Sequence, residues 1–117
     1  MQRSCFTAGL FALLAACASG TDDRPQTFEF VTLEVLAPAC GTVACHSSTT
    51  REHGYAFDTL ADARKALARL VAAGKPESSR LYDIITRSSG VMPPDAPLAS
   101  EDIDLIKRWI AAGAPGL

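Results

Sequence analysis

The chain has 117 residues with 11 basic and 13 acidic side chains, a formal net charge of −2, and 48% hydrophobic residues. That length supports one small domain with a modest core. Near-balanced charge without a basic stripe argues against a nucleic-acid partner.

The N-terminal segment has the layout of an export signal. A positive Met1-Gln2-Arg3 precedes an apolar run from Phe6 to Ala16, interrupted only by Thr7 and Gly9. The run falls short of the roughly 20 apolar residues a membrane-spanning helix needs. It ends in Leu14-Ala15-Ala16-Cys17, and small residues before a cysteine resemble the lipobox of bacterial lipoproteins. By that resemblance residues 1–16 are the signal, Cys17 carries the lipid, and the protein is anchored on the periplasmic side of the cell envelope. Ala18 in place of an aspartate favours the outer membrane. The alternative is an ordinary secretory signal that leaves Cys17 a spare thiol. Residues 17–27, polar with Gly20 and Pro25, read as a flexible tether, and the folded domain spans 28–117.

Four helices are expected in that domain. Thr27 can cap a first helix carrying Phe28, Val31 and Val35, which Pro38 ends just before Cys40, although a strand competes for this β-rich segment. Residues 46–57 read as a loop. Asp58 or Thr59 caps a second helix running to about Ala73 with the stripe Leu60, Ala63, Leu67, Leu70, Val71, and Gly74 stops it. A shorter helix starts at Pro76-Glu77-Ser78, buries Leu81, Ile84 and Ile85, and ends at Ser88-Ser89-Gly90. Val91 to Pro97 holds three prolines and forms a stiff extended loop. Ser100 caps the last helix, with acidic residues in its first turn and Lys107 and Arg108 further on, which suits the helix dipole. Its stripe is Ile103, Ile106 and Ile110, with Trp109 beside it.

The chemistry-bearing segment is Cys40-Gly-Thr-Val-Ala-Cys45-His46. In the usual covalent haem signature, C-x-x-C-H, two thioethers hold the porphyrin and the histidine binds the iron. Here the spacer has four residues. Once the signal is removed, Met92 is the only methionine. It sits in the proline loop rather than on a helix stripe, which suits a second axial ligand better than core filling. Phe57, Leu60, Leu67, Leu70, Ile84, Ile85 and Trp109 are reasonable pocket walls or simply core. A Cys40–Cys45 disulfide in a haem-free binding or structural lipoprotein remains the alternative. A zinc site from Cys40, Cys45, His46 and His53 has spacing unlike structural zinc knuckles. His53 otherwise reads as an exposed loop residue and a substitute ligand for Met92. No constellation for hydrolysis is visible, and the protein is not expected to be an enzyme.

The order C-x4-C-H, helix, Gly74-Lys75-Pro76-Glu77-Ser78-Ser79-Arg80-Leu81-Tyr82, Met92-Pro93-Pro94 and Trp109-Ile110-Ala111-Ala112-Gly113-Ala114-Pro115 resembles the planctomycete-type cytochrome c domain family from about Val31 to Pro115. The resemblance implies an all-α, small cytochrome c-like domain of about four helices with long loops, its first and last helices crossing around a haem pocket. It implies haem c on Cys40 and Cys45, with His46 and Met92 as axial ligands, and single-electron transfer to redox protein partners.

Overall fold

In the computed structural model, residues 20–87 and 92–117 are described. They form an all-α domain with no strand among the described residues. The expected end of the third helix at residues 88–90 and Val91 lie outside the described residues, as does Cys17.

The first helix, α1, runs over residues 28–40 in three continuous segments: Phe28–Phe30, a π-helical stretch Val31–Leu36, and Ala37–Cys40. Thr27 caps it as expected, its hydroxyl accepting from the Phe30 amide at 3.2 Å. Pro38 does not end the helix. In a regular α-helix its ring would crowd the carbonyl four residues back. The wider π turns relax that spacing, with the Ala37 and Gly41 amides reaching back five residues to the carbonyls of Thr32 and Leu36. The helix therefore carries on to Cys40 and delivers it to the site.

The second helix, α2 (Leu60–Leu70), is capped by Thr59, whose hydroxyl accepts from the Asp62 amide at 3.2 Å. It buries Ala63, Ala66, Leu67 and Leu70, while Leu60 and Val71 are only half-buried. It stops three residues short of Ala73, because Val71 turns extended. Ser79 explains the early stop. Its buried hydroxyl accepts from the Ala72 amide and donates to the Lys75 carbonyl, both at 2.9 Å, and so fastens the residues just past α2 into a turn. Gly74 then adopts φ +78° and donates to the Ile110 carbonyl at 2.7 Å.

Pro76–Ser78 forms a 3-10 turn ahead of α3 (Arg80–Thr86), which buries Leu81 and Ile85. The last helix, α4 (Ser100–Ala111), has Ala99 as its cap and Ser100 as its first residue. The Ser100 hydroxyl therefore bonds Glu101 rather than the backbone. Leu105, Ile106, Trp109 and Ile110 are buried and Ile103 is only half-buried, so the inward face is turned toward Trp109 from the one expected.

The first and last helices meet at one carbonyl. Pro115 O accepts from the Phe28 amide at 2.9 Å and from the Trp109 indole at 3.2 Å. One of the orphan donors at the start of α1 and the buried indole N–H are satisfied together. Gly113 at φ +95° bends the chain back so that Pro115 can reach them. Within the expected tether, Arg24 donates to Asp22 (2.9 Å) and to Asp102 (2.5 Å), and Arg108 donates to Asp22 (2.5 Å). That segment lies along α4. No helix among the described residues is long and apolar enough to cross a membrane.

Trp109→Ala removes a fully buried indole and one arm of the Pro115 junction. It should cost about 3–5 kcal/mol, and Trp109→Phe less, measured by denaturant unfolding.

Candidate functional site: the cysteine turn and its cleft

The site is built where α1 runs out. Gly41 follows Cys40, and a Cβ there would lie 2.8 Å from the Ala37 carbonyl and 2.9 Å from the Asp58 amide. Gly41 is thus required by close backbone approach, not by the flexibility a closing loop would ask for. The next residues turn tightly. The Cys45 amide donates to Thr42 O and the His46 amide to Cys40 O, both at 3.0 Å. This bond brackets the four-residue spacer and sets Cys40 beside the Cys45-His46 pair. Thr42, Val43 and Ala44 are displaced outward, with Val43 76% exposed. The Thr50 hydroxyl donates to Val43 O and pins the bulge. The extra spacer residues are therefore spent on a surface bulge.

After the histidine the chain is held on both sides. Asp58 accepts from the Ser48 amide and hydroxyl, each at 2.7 Å. Those two bonds, the amide's first, hold its carboxyl below the usual carboxylate range. Arg51 and His53 take left-handed backbone (φ 48° and 53°), and Gly54 comes next at φ 79°. Arg51 is secured in this sparsely populated region by Asp62 at 2.9 Å. The loop then returns, with the Phe57 amide donating to His46 O at 2.8 Å.

His46 is only 8% exposed, and its Nδ1 is buried without a hydrogen-bond partner among the described residues. Its ring meets the edges of Phe57 and Tyr55 at centroid distances of 5.7 and 6.1 Å. It faces a recess of about 40 Å³ walled by Phe57, Leu70, Leu81, Ile84 and Ile85. Cys40, Tyr55 and Met92 line the same recess. A wider cleft of about 370 Å³, also lined by His46, Tyr55, Ile84 and Met92, adds Arg80 and His53. Its size falls in the usual range for small-molecule sites, roughly 300–1,000 Å³. Met92 is brought there by its amide, which donates to Ile84 O at 3.3 Å.

Three of the residues read from sequence thus converge: Cys40, His46 and Met92. Cys45 is half-buried in the turn and is not among the residues lining the recess. Both cysteines are free thiols. Burial, and then the neighbouring Cys45, push the Cys40 thiol up to about 11. Among the described residues no three histidines, cysteines or carboxylates group to hold a metal ion, so Cys40, Cys45, His46 and His53 do not assemble the zinc set. Of the expected walls, Phe57, Leu70, Ile84 and Ile85 line the recess, whereas Trp109 serves the junction at Pro115. Tyr55, Leu81 and Arg80 were not anticipated as lining residues. Arg80 could have been found from the helix period, because it stands one turn before Ile84 on the same face.

The donor set and the apolar walls fit a covalently held haem. A buried imidazole nitrogen without a partner is costly unless something occupies it, and a methionine sulfur lines the same space.

Gly41→Ala should cost about 1–3 kcal/mol in unfolding experiments, because the added methyl meets rigid backbone on two sides. In the haem-free chain the Cys40 thiol is held neutral by the fold. From about pH 9 the unfolded chain loses this proton while the folded one keeps it, so stability should fall by of order 2 kcal/mol on going to about pH 11. Denaturant titrations across that window should show a steeper fall in the wild type than in Cys40→Ala.

No curated protein and no solved structure matches this chain. Residues 43–96 match a family model described as Planctomycete cytochrome C. The matched span begins within the bulge, takes in Cys45, His46, Tyr55 and Arg80, and reaches past Met92. That stretch of the chain, which holds the histidine and the methionine loop, is similar to the planctomycete cytochrome C family.

Proposed function

We propose that this protein is a monohaem c-type cytochrome that passes single electrons in the bacterial cell envelope. The observation that carries the reading is the convergence of Cys40, Met92 and His46, whose Nδ1 is buried and unpartnered, on one apolar recess. The family match supports it at the level of a cytochrome.

Cys40 and Cys45 would hold the haem through thioethers, and His46 and Met92 would supply the ligands to its iron. The bound haem supplies a one-electron iron couple. The chain does the rest. The turn closed by His46 N and Cys40 O sets the attachment points, and Phe57 and Tyr55 fix the imidazole plane from two sides. Leu70, Leu81, Ile84 and Ile85 keep water from the inner face. A methionine ligand raises the potential relative to two histidines. The domain acts as a carrier rather than an enzyme, docking weakly and briefly on redox protein partners. The Leu14-Ala15-Ala16-Cys17 pattern supports export and a lipid anchor on Cys17, with the outer membrane favoured.

Protein matured in a host that supplies covalent haem attachment should show Soret and α bands, with an intact mass equal to the processed, lipid-bearing chain plus haem. A colourless protein from that host, lighter than the reduced chain by two hydrogens, would identify a Cys40–Cys45 disulfide and overturn the reading. Met92→Ala should alter the reduced spectrum and lower the potential. If both are unchanged, Met92 is not a ligand.

A further inference from the structure

The cleft has a polarity gradient. Its inner end is walled mainly by apolar side chains around Cys40, His46 and Tyr55, whereas Arg80 and His53 line only the wider outer part. Arg80 also has no hydrogen-bond or ion-pair partner among the described residues. The other described arginines are engaged. Arg24, Arg51, Arg87 and Arg108 hold carboxylates, Arg64 holds the Gly116 carbonyl, and Arg69 stacks over Tyr55 at 4.9 Å. The neighbouring acids are spent as well: Glu77 on Lys107 at 3.1 Å and Asp83 on Arg87. Ile84 stands four residues from Arg80 on the same face of α3. That face is therefore apolar toward the recess and cationic toward the mouth.

We propose that the mouth of this cleft is a carboxylate subsite, in which the Arg80 guanidinium, with His53 at the same opening, takes a carboxylate of the bound ligand. The proposal rests on the haem reading above, and the carboxylate is then a haem propionate. A guanidinium presents a planar fork that matches a carboxylate with two parallel N–H donors. Arg80 is free to make that pair because no acid of the described chain claims it. The cation also sits near a centre that gains and loses one electron, and so favours its less positive, reduced state. Arg80 is thus a positioning and tuning residue that fixes which edge of the ligand faces solvent.

The experiment compares haem-loaded wild type with Arg80→Leu, Arg80→Lys and Arg87→Leu. The last removes the same charge just past the end of the same helix, outside the cleft lining. Redox titration should show the potential of Arg80→Leu lowered by about 59 mV or more, a tenfold change in the reduced-to-oxidised ratio for one electron. Arg80→Lys should restore part of it, and Arg87→Leu should change it far less. Resonance Raman spectra should show the propionate bending mode shifted in Arg80→Leu alone. An Arg80→Leu protein that loads no haem, while Arg80→Lys and Arg87→Leu load fully, also supports the subsite. If Arg80→Leu loads normally and matches Arg87→Leu in both potential and Raman spectrum, Arg80 holds no carboxylate and the proposal falls while the haem reading stands. A colourless wild type overturns the haem reading itself.

Discussion

The carbonyl of Pro115 is the joint on which the domain hangs. It accepts from the first amide of α1 and from the indole of Trp109, so the two ends of the folded chain share a single acceptor. Both donors are at fully buried residues, and a buried donor left without an acceptor costs about 1–3 kcal/mol. The core assembles around this closure. Phe28, Val31 and Leu36 from α1 meet Leu105, Ile106 and Ile110 from α4, and Leu67 from α2 joins them. Gly74 N donating to Ile110 O ties the α2–α3 turn to the same end of α4. With both its ends fixed, α1 becomes a rigid arm that ends at Cys40.

The site is the far end of that arm. The π-helical stretch lets α1 pass through Pro38, and the glycine at 41 lets the arm press against the start of α2. π-helical turns are found mostly where function asks for an irregular presentation of a side chain. Here the irregularity carries a thiol to the recess where the histidine and methionine wait. The widened cysteine spacing, which departs from the usual haem signature, is absorbed outside the domain. The Cys40-to-His46 backbone bond closes the loop and leaves Thr42, Val43 and Ala44 in solvent.

Much of this was legible in the residues. Helical stripes located all four helices, because burial of an amphipathic face decides helix formation more than propensity does. The Thr27 and Thr59 caps were readable for the same local reasons. The errors fell where a distant group intervened. Pro38 stops a helix only if the turn stays α, and the π turns are a product of packing. Ser79 shortened α2 from seven residues away, through a hydroxyl whose partners no periodicity reveals. Ser100 looked like a cap by composition, but the backbone turned helical one residue earlier. At the site, Cys40, His46 and Met92 were named from chemistry alone. Tyr55 was not, because its role comes from a loop that doubles back through left-handed Arg51 and His53.

The Asp22–Arg24–Arg108 cluster gives the segment ahead of α1 a length that depends on salt. Its side chains are roughly a quarter to a third exposed, and such pairs weaken as counterions screen them. With the pairs formed, the chain leaves the domain surface ahead of Asp22. With them screened, it leaves at Thr27, which frees about five more residues, or roughly 17 Å of extended chain. Ionic strength would then set how far the domain stands from the residues that precede Asp22.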